Sequence, residues 1–464
     1  MRRRLLILSI PLVCFITFID AQSPSLTPNQ ALARDIFREL IGIDTTDEHG
    51  ATTPAAEAIA KRLREAGLPA ADVQVIGPTP TKGNLVARLR GTGAKRPLLL
   101  LAHLDVVEAR REDWTVDPFT LLERDGFFYG RGTEDVKDGA AIMTANVIQF
   151  VKEGYRPDRD VILALTADEE GGTSNGVQWL LDEHRNLIDA ELCLNFDGGD
   201  FEALGTRRVS GAIQAAEKGY ADFTLEVTDA GGHSSLPRPG NAIYRLSAGL
   251  LRIADFTFPV HLNEVTRSFF ARRAPLESGQ RADDMREAGG DNPSAAAVGR
   301  LSSDMYYNAL VRTTCVATLV TAGHAANALP QRARANVNCR IVPGETEEEV
   351  RSALIRVLND PTISVSHPAP RQNPASPLRP DVLAAVGRAT AVVYPGLPII
   401  PTMETGATDG RLLRGAGIPT YGISGVFLDD LDERSHGRDE RVGVRDFYDG
   451  LAFNYHLVRA LSQN

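Results

Sequence analysis

LLLLAHLDVV at residues 98–107 and LALTADEEGG at residues 163–172 decide the reading of this chain. Each opens as an almost unbroken apolar run, the pattern of a strand covered on both faces of a sheet. Each closes on groups that a core does not accept alone: His103 and Asp105 in the first, Asp168, Glu169 and Glu170 in the second. Two further stretches repeat the theme. GRGTEDVKDG (130–139) sets Asp135 behind a glycine turn, and ELCLNFD (191–197) ends an apolar run on Asp197. A buried carboxylate without compensation is very costly, and a pair of divalent ions is the simplest compensation for several at once.

Working outward from this centre, residues 28–67 have a helical pattern. Pro54 follows Thr53 as a first-turn proline behind a capping residue, and AAEAIAKRLREAG runs to a terminal glycine. Strands are predicted over 84–90, 97–107, 127–129, 160–167 and 191–196, with helices over 139–153 and 176–183. Strands alternating with helices imply an α/β sheet covered on both faces. Near Lys218 the pattern changes. Phe223, Leu225 and Val227 alternate with Thr224, Glu226 and Thr228, and 313–320 and 335–341 alternate likewise, so these strands have one wet face. With helices at 241–254 and 347–358 this is an α+β insert; Thr346 and Glu349 give the second helix a capping box. Inside the insert, 256–304 is charged and reads as loop, and the proline-rich 361–380 reads as the return linker. The α/β pattern resumes with a helix at 381–393, a turn at 406–410, a strand at 418–424 and a closing helix from Asp446.

The amino terminus reads separately. Arg2, Arg3 and Arg4 precede an apolar stretch, 5–19, followed by Asp20-Ala21-Gln22. That is the layout of a secretory signal, and it is short for a membrane span. The expectation is a signal at 1–21, a main α/β domain at 22–216 and 371–464, and the insert at 217–370, in a protein exported to the periplasm or medium. No stable membrane insertion is expected after signal removal. In an oxidising compartment Cys315 and Cys339 could pair, or stay two separate buried thiols; Cys193 reads as a buried thiol. A formal net charge of −10 argues against nucleic acid or an anionic membrane as partner.

Taken singly, the polar residues have bland readings. His103 and Asp105 share one strand face, which suits a metal-binding imidazole steadied by a carboxylate, but equally a histidine hydrogen-bonded at a strand end. Asp135 alone is a turn residue, and His436 in SHGRDE alone an exposed one. Together His103, Asp135, Glu170 and Asp197 stand at strand or turn ends, where open α/β sheets collect catalytic groups. Imidazoles mixed with carboxylates favour zinc over magnesium or calcium.

HLDVV, DPF at 117–119, DGFFYGRGTEDVKDG, ADEEGG, NFDGG, GGHSS and NALPQRARANVNCRIVPG, in that order, resemble the M20 family of zinc exopeptidases and amidohydrolases. The chain is most similar to the carboxypeptidase S/aminoacylase-like branch. The resemblance implies a zinc-exopeptidase catalytic domain, a mixed sheet with helices on both faces, and an inserted α+β lid. It implies two Zn2+, with Co2+ or Mn2+ as substitutes: His103 and Asp197 on one, Glu170 and His436 on the other, Asp135 bridging them through a cis bond to Val136. Glu169 would be the general base, with Asp105 behind His103. His233, Asn327 and Arg340 of the lid would hold the substrate carboxylate or the oxyanion, and Thr408 and Asp409 would line the pocket. The substrate would be a small peptide or N-acyl amino acid cleaved beside a free carboxylate, and a homodimer is possible.

Three departures stand out. Asp135-Val136-Lys137-Asp138 delays the family's glycine to Gly139, HGRDE carries Asp439 where asparagine is common, and the 256–304 segment lengthens the lid. Rival readings are a dipeptidase or aminopeptidase, which needs an acidic anchor for a free amine, and an exported solute-binding protein. The latter has no use for five metal-type ligands.

Overall fold

Leu98–His103, Val161–Thr166 and Leu192–Asn195 are parallel neighbours, so their carboxyl ends share one edge of the sheet. In the computed structural model, which describes residues 25–367 and 373–463, every residue of these three strands is buried. The segment read as a signal lies outside the described residues. Side chains alternate between two apolar layers: Leu98, Leu100 and Ala102 pack with helices Pro28–Ile41 and Lys137–Lys152, Leu99 and Leu101 with Val177, Leu180 and Leu413. Neither face meets water, which is why the runs are continuous rather than alternating. Each buried leucine contributes roughly 1.5–3 kcal/mol, so the strand end carrying His103 is firmly held.

The full sheet has ten strands. Val73–Ile76 and Asn84–Leu89 form one side, and Thr420–Gly422, Arg207–Glu217, Phe201–Leu204 and Phe427–Asp429 continue the other, with Ile399–Glu404 parallel to Arg207–Glu217. Antiparallel pairs at Asn84–Leu89 and Phe201–Leu204 make it mixed. Val444–Ser462 and Pro380–Val393 complete the larger core.

A second core lies between a four-stranded antiparallel sheet and two helices, Ala242–Ala254 and Glu347–Leu358. The strand order is Thr314–Ala322, Arg332–Ile341, Gly219–Thr228, Ile363–Ser366. Ala221, Phe223, Leu225 and Val227 point inward while their neighbours stay wetter, the alternation read from the sequence. Cys315 and Cys339, opposite one another on adjacent strands, form a disulfide, and Cys193 is a buried free thiol.

Two expectations fail here. The 256–304 segment is not loop: it folds into Glu264–Arg273, Gly279–Ala288 and Ala295–Leu301, followed by Met305–Val311. Caps start three of these short helices, with Asn263 and Thr266 forming a capping box and Ser294 and Asp304 accepting from the first-turn amides. Nor does the segment join the second core. Val265, Phe269, Phe270, Met285 and Leu301 belong to the larger one, and Glu264–Arg273 packs along Ile399–Glu404. The chain therefore crosses between the two bodies not twice but at least four times, near 218, 258–263, 312–314 and 366–375. The 361–380 stretch is not linker throughout, since Ile363–Ser366 pairs with Thr224–Val227 and Pro380 opens a helix. No helix among the described residues is long and apolar enough to cross a membrane.

Candidate metal centre

The shared strand edge brings the sequence's polar endings together. His103 is 2% exposed at the tip of its strand. Its Nδ1 lies 2.9 Å from the backbone carbonyl of Asp105. A carbonyl only accepts, so Nδ1 carries the hydrogen and Nε2 is left as the free nitrogen. The ring is thus oriented by the Asp105 backbone, not chiefly by its carboxylate, whose Oδ1 is 3.7 Å from Nδ1. The Asp105 carboxylate instead accepts the amide of Glu170 at 2.9 Å, tying one strand ending to the next.

Asp135 stands between two imidazoles. Its Oδ1 is 3.0 Å from His103 Nε2 and its Oδ2 is 2.9 Å from His436 Nε2. His436 Nε2 also lies 3.0 Å from Glu170. The bond from Asp135 to Val136 is cis, as the resemblance implies. His103, Glu169 and Asp197 form a second convergent set, one ligand atom of each within 4.8 Å of the others. The acidic triplet splits as its backbone requires: Glu170 faces His436, Glu169 faces His103 and Asp197, and Asp168 turns away to Lys82 Nζ at 2.5 Å.

Charge in this space is poorly balanced by protein alone. Burial, then the neighbouring Asp197, pushes the Glu169 carboxyl well above its usual range. Burial raises Asp197 likewise, with His103 opposing and Asp135 adding to the rise. Burial also works against Asp135, yet the close approach of the His103 and His436 imidazoles holds it well below the ordinary carboxylate range. Asp135 and Glu170 push His436 up to about 10. Each imidazole Nε2 faces only carboxylate oxygens, so a cation must lie between them, either a proton or a metal ion. Two nitrogen and four oxygen donors arranged around Asp135 fit a pair of divalent transition metals.

The loops holding these groups are strained. Among the described residues five non-glycine residues have positive φ, and three of them, Asp168, His436 and Asp439, flank the cluster. Such conformations persist only where surroundings over-determine them. Glu440, 0% exposed, does much of this. Its Oε2 meets Arg131 Nη1 at 2.5 Å and its Oε1 accepts the amides of Glu134 at 2.7 Å and Asp135 at 3.3 Å. Arg131 Nη2 in turn donates to Gly437 O at 2.9 Å. The pair thereby locks the Asp135 turn to the His436 loop. Asp439 accepts from Thr115 N at 2.8 Å and from its hydroxyl at 3.0 Å, pinning the same loop from the other side. The sequence carried signals for this pair, an arginine inside GRG and a glutamate closing HGRDE, but each alone resembles a surface charge.

Other expected site residues fare unevenly. Asp409 is buried. It is 3% exposed, accepting from Asn175 Nδ2 at 2.6 Å and Thr166 Oγ1 at 3.4 Å, and its charge bears on Glu169 and Asp197 from behind. The reason is local: it opens the inward-packed helix Gly410–Gly415. The hydroxyl of Thr408 accepts from Asn195 Nδ2 at 3.1 Å, and its amide donates to Glu217 at 2.8 Å. On the second body, Gly232–His233 pairs with Ala328–Leu329, so His233 and Asn327 sit together, both exposed. Arg340 lies 4.8 Å over the ring of Tyr220, on the same strand face as Asn336 and Asn338, which both donate to Asp222.

The family described as Peptidase family M20/M25/M40 matches residues 99–460. The chain belongs to it. M20 relatives include a protein named N-fatty-acyl-amino acid synthase/hydrolase PM20D1 from Xenopus tropicalis, 30% identical over 356 residues, covering 75% of this chain and 69% of the relative. Another, named probable carboxypeptidase S-like 2, from Dictyostelium discoideum, is 27% identical over 78% of this chain and 71% of the relative. In fold the chain is similar to an M20 family metallo-carboxypeptidase from Sulfolobus solfataricus, with a TM-score of 0.70, 16% identity, and 92% and 98% of the two chains covered. Human carnosine dipeptidase 1 is similar with a TM-score of 0.64, 17% identity, and 93% and 96% covered. The chain is an M20 hydrolase.

Proposed function

We propose that this hydrolase uses two zinc ions to cleave an amide bond beside a free carboxylate, as a carboxypeptidase or N-acyl-amino-acid hydrolase. The observation that carries the reading is Asp135, one oxygen toward His103 and the other toward His436, with Glu169 alongside. His103 and Asp197 would hold one ion, Glu170 and His436 the other, with Asp135 shared. Bound there, such ions acidify water and polarise a carbonyl. Glu169 takes the proton of the attacking water and returns it to the leaving amine. His233 and Asn327 meet the oxyanion and the substrate carboxylate once the second body approaches, and Arg340 grips that carboxylate in a two-pronged hydrogen bond a lysine cannot copy. The names of the two relatives support both substrate classes. The Cys315–Cys339 disulfide supports export, since such bonds persist in oxidising compartments.

The test is a panel of N-acyl amino acids, their amides and free dipeptides, assayed after chelation and after zinc, cobalt or manganese is restored. Hydrolysis of acids should vanish on chelation and return with metal. Arg340→Lys should lower kcat/KM on acids far more than on amides. Full activity in metal-free protein, or equal losses on acids and amides, overturns the reading in favour of an aminopeptidase or a different chemistry.

A further inference from the structure

A cavity of about 600 Å³ opens between the helices of the 264–311 segment and the larger sheet. It is of the size that binds small ligands, and it adjoins the metal centre. Asp200 on its wall is three residues after Asp197 and feels the charge of Asp135, and Ser435 immediately precedes His436. Its lining is strongly acidic. Asp200, Glu404, Asp430 and Glu433 all face it. The one guanidinium there, Arg273, is already committed to Glu202 at 3.0 Å and Glu277 at 3.2 Å.

Crowded carboxylates without a counter-charge repel one another. No hydrogen bond or ion pair engages the Glu404 or Glu433 side chain among the described residues. Burial and the charges of Asp200, Glu217 and Glu433 push Glu404 up to about 7. An independent sign of a missing occupant is Thr402, 9% exposed on the same wall, whose hydroxyl has no partner. Opposite stand the rings of Phe269 and Tyr306, 6.3 Å apart, with Tyr306 close enough to Glu404 to feel its charge. Carboxylates facing aromatic rings form a receptor for an organic cation, which the rings attract through their faces.

We propose that this cavity is a subsite for a positively charged group of the substrate, an alkylammonium or guanidinium. The proposal rests on the hydrolase reading above for the word substrate, but the cavity's preference for cations stands on its own lining. The cation could belong to the amino-acid half or the acyl half of the scissile amide, and the chemistry of recognition is the same.

Butylguanidinium and its neutral counterpart butylurea, neither of which carries a carboxylate or scissile bond, are titrated calorimetrically into the metal-loaded full chain at low ionic strength. The guanidinium should bind at least about tenfold tighter, the range of one hydrogen bond to a charged partner. Glu433→Gln, at an exposed position, and the isosteric Glu404→Gln should each shrink that ratio. Two kinetic arms then locate the cation. N-acetyl-lysine is compared with N-acetyl-norleucine, and lysyl-leucine with norleucyl-leucine, each as a ratio of kcat/KM. A preference in either arm, lost in both variants, assigns the half. Equal binding of guanidinium and urea, ratios indifferent to both substitutions, or no cation preference in either arm overturns the subsite. Absence of hydrolysis of every compound would instead refute the hydrolase reading and leave the calorimetry to decide the cavity.

Discussion

Replacing Glu440 by glutamine should loosen the metal centre from outside it. The carboxylate is fully buried and opposes one guanidinium, with two backbone amides on its other oxygen. Glutamine keeps the oxygen that serves Glu134 and Asp135, but turns an NH2 toward Arg131, setting donor against donor. Arg131, with only 3% of its side chain exposed, is then a buried cation without its partner, a loss of about 3–5 kcal/mol. Against a total stability of roughly 5–15 kcal/mol that is severe, and it falls where the Asp135 turn is fastened to the His436 loop. Metal affinity should drop by roughly 10–100-fold, the usual effect of removing a group that orients ligands. Urea unfolding of chelated protein gives the first number, and competition with a metal-sensitive chelator gives the second. The double variant Arg131→Met with Glu440→Leu should recover part of the stability, because no charge is stranded. It should not recover the affinity, because the amides of Glu134 and Asp135 then lack an acceptor. Chelated Glu440→Gln within about 1 kcal/mol of the parent, the scale of a surface pair, with unchanged metal affinity, would refute the reasoning.

Glu169→Gln should keep both metals yet lose about 10²–10⁴ in turnover, the share of a general base; metal content and rate are read on the same sample, and loss of metal would make Glu169 a ligand instead. Lys218, fully buried, donates to Arg312 O at 2.8 Å and to the Thr314 hydroxyl at 3.0 Å, and burial, with Arg340 adding, pulls its pKa down to about 7. The unfolded lysine keeps its proton up to about 10.5, so its burial costs stability fully below pH 7 and progressively less between pH 7 and 10.5. Lys218→Met should therefore stabilise chelated protein more at pH 6 than at pH 10, measured by urea midpoint; the reverse order refutes it. Breaking the Cys315–Cys339 link, which closes a separation of 24 residues, with a double serine variant should cost about 3 kcal/mol, read as a fall in urea midpoint that reductant reproduces in the parent.

What the sequence made legible follows from how each signal arises. His103, Glu169, Glu170 and Asp197 were readable because a fully buried strand has no reason to end on charge, and parallel neighbours put all such endings on one edge. Asp409 was expected in the pocket through the family resemblance of its loop, and no linear feature reports that its helix packs inward. The helices between Asn263 and Val311 escaped for another reason. They have seven to ten residues each, and their buried side chains are often adjacent, as Phe269 and Phe270 are, so no clear helical period shows. Their readable signs were the caps, and the spacing of Ala282, Met285 and Ala288 before Gly289. The Arg131–Glu440 lock spans 309 residues and is invisible to any local pattern.

The repeated passage of the chain between its two bodies has a consequence for anyone cutting or grafting this protein. A segment inserted once through two tethers can be lifted out as a cassette and the ends rejoined. Here, excising 217–370 would also strip Phe269, Phe270, Met285 and Leu301 from the wall of the larger body. Apolar surface left bare in this way invites aggregation. A trimmed enzyme must keep the 264–311 helices on the catalytic body and splice around them, so the unit that can be exchanged is discontinuous in sequence on both sides of the graft.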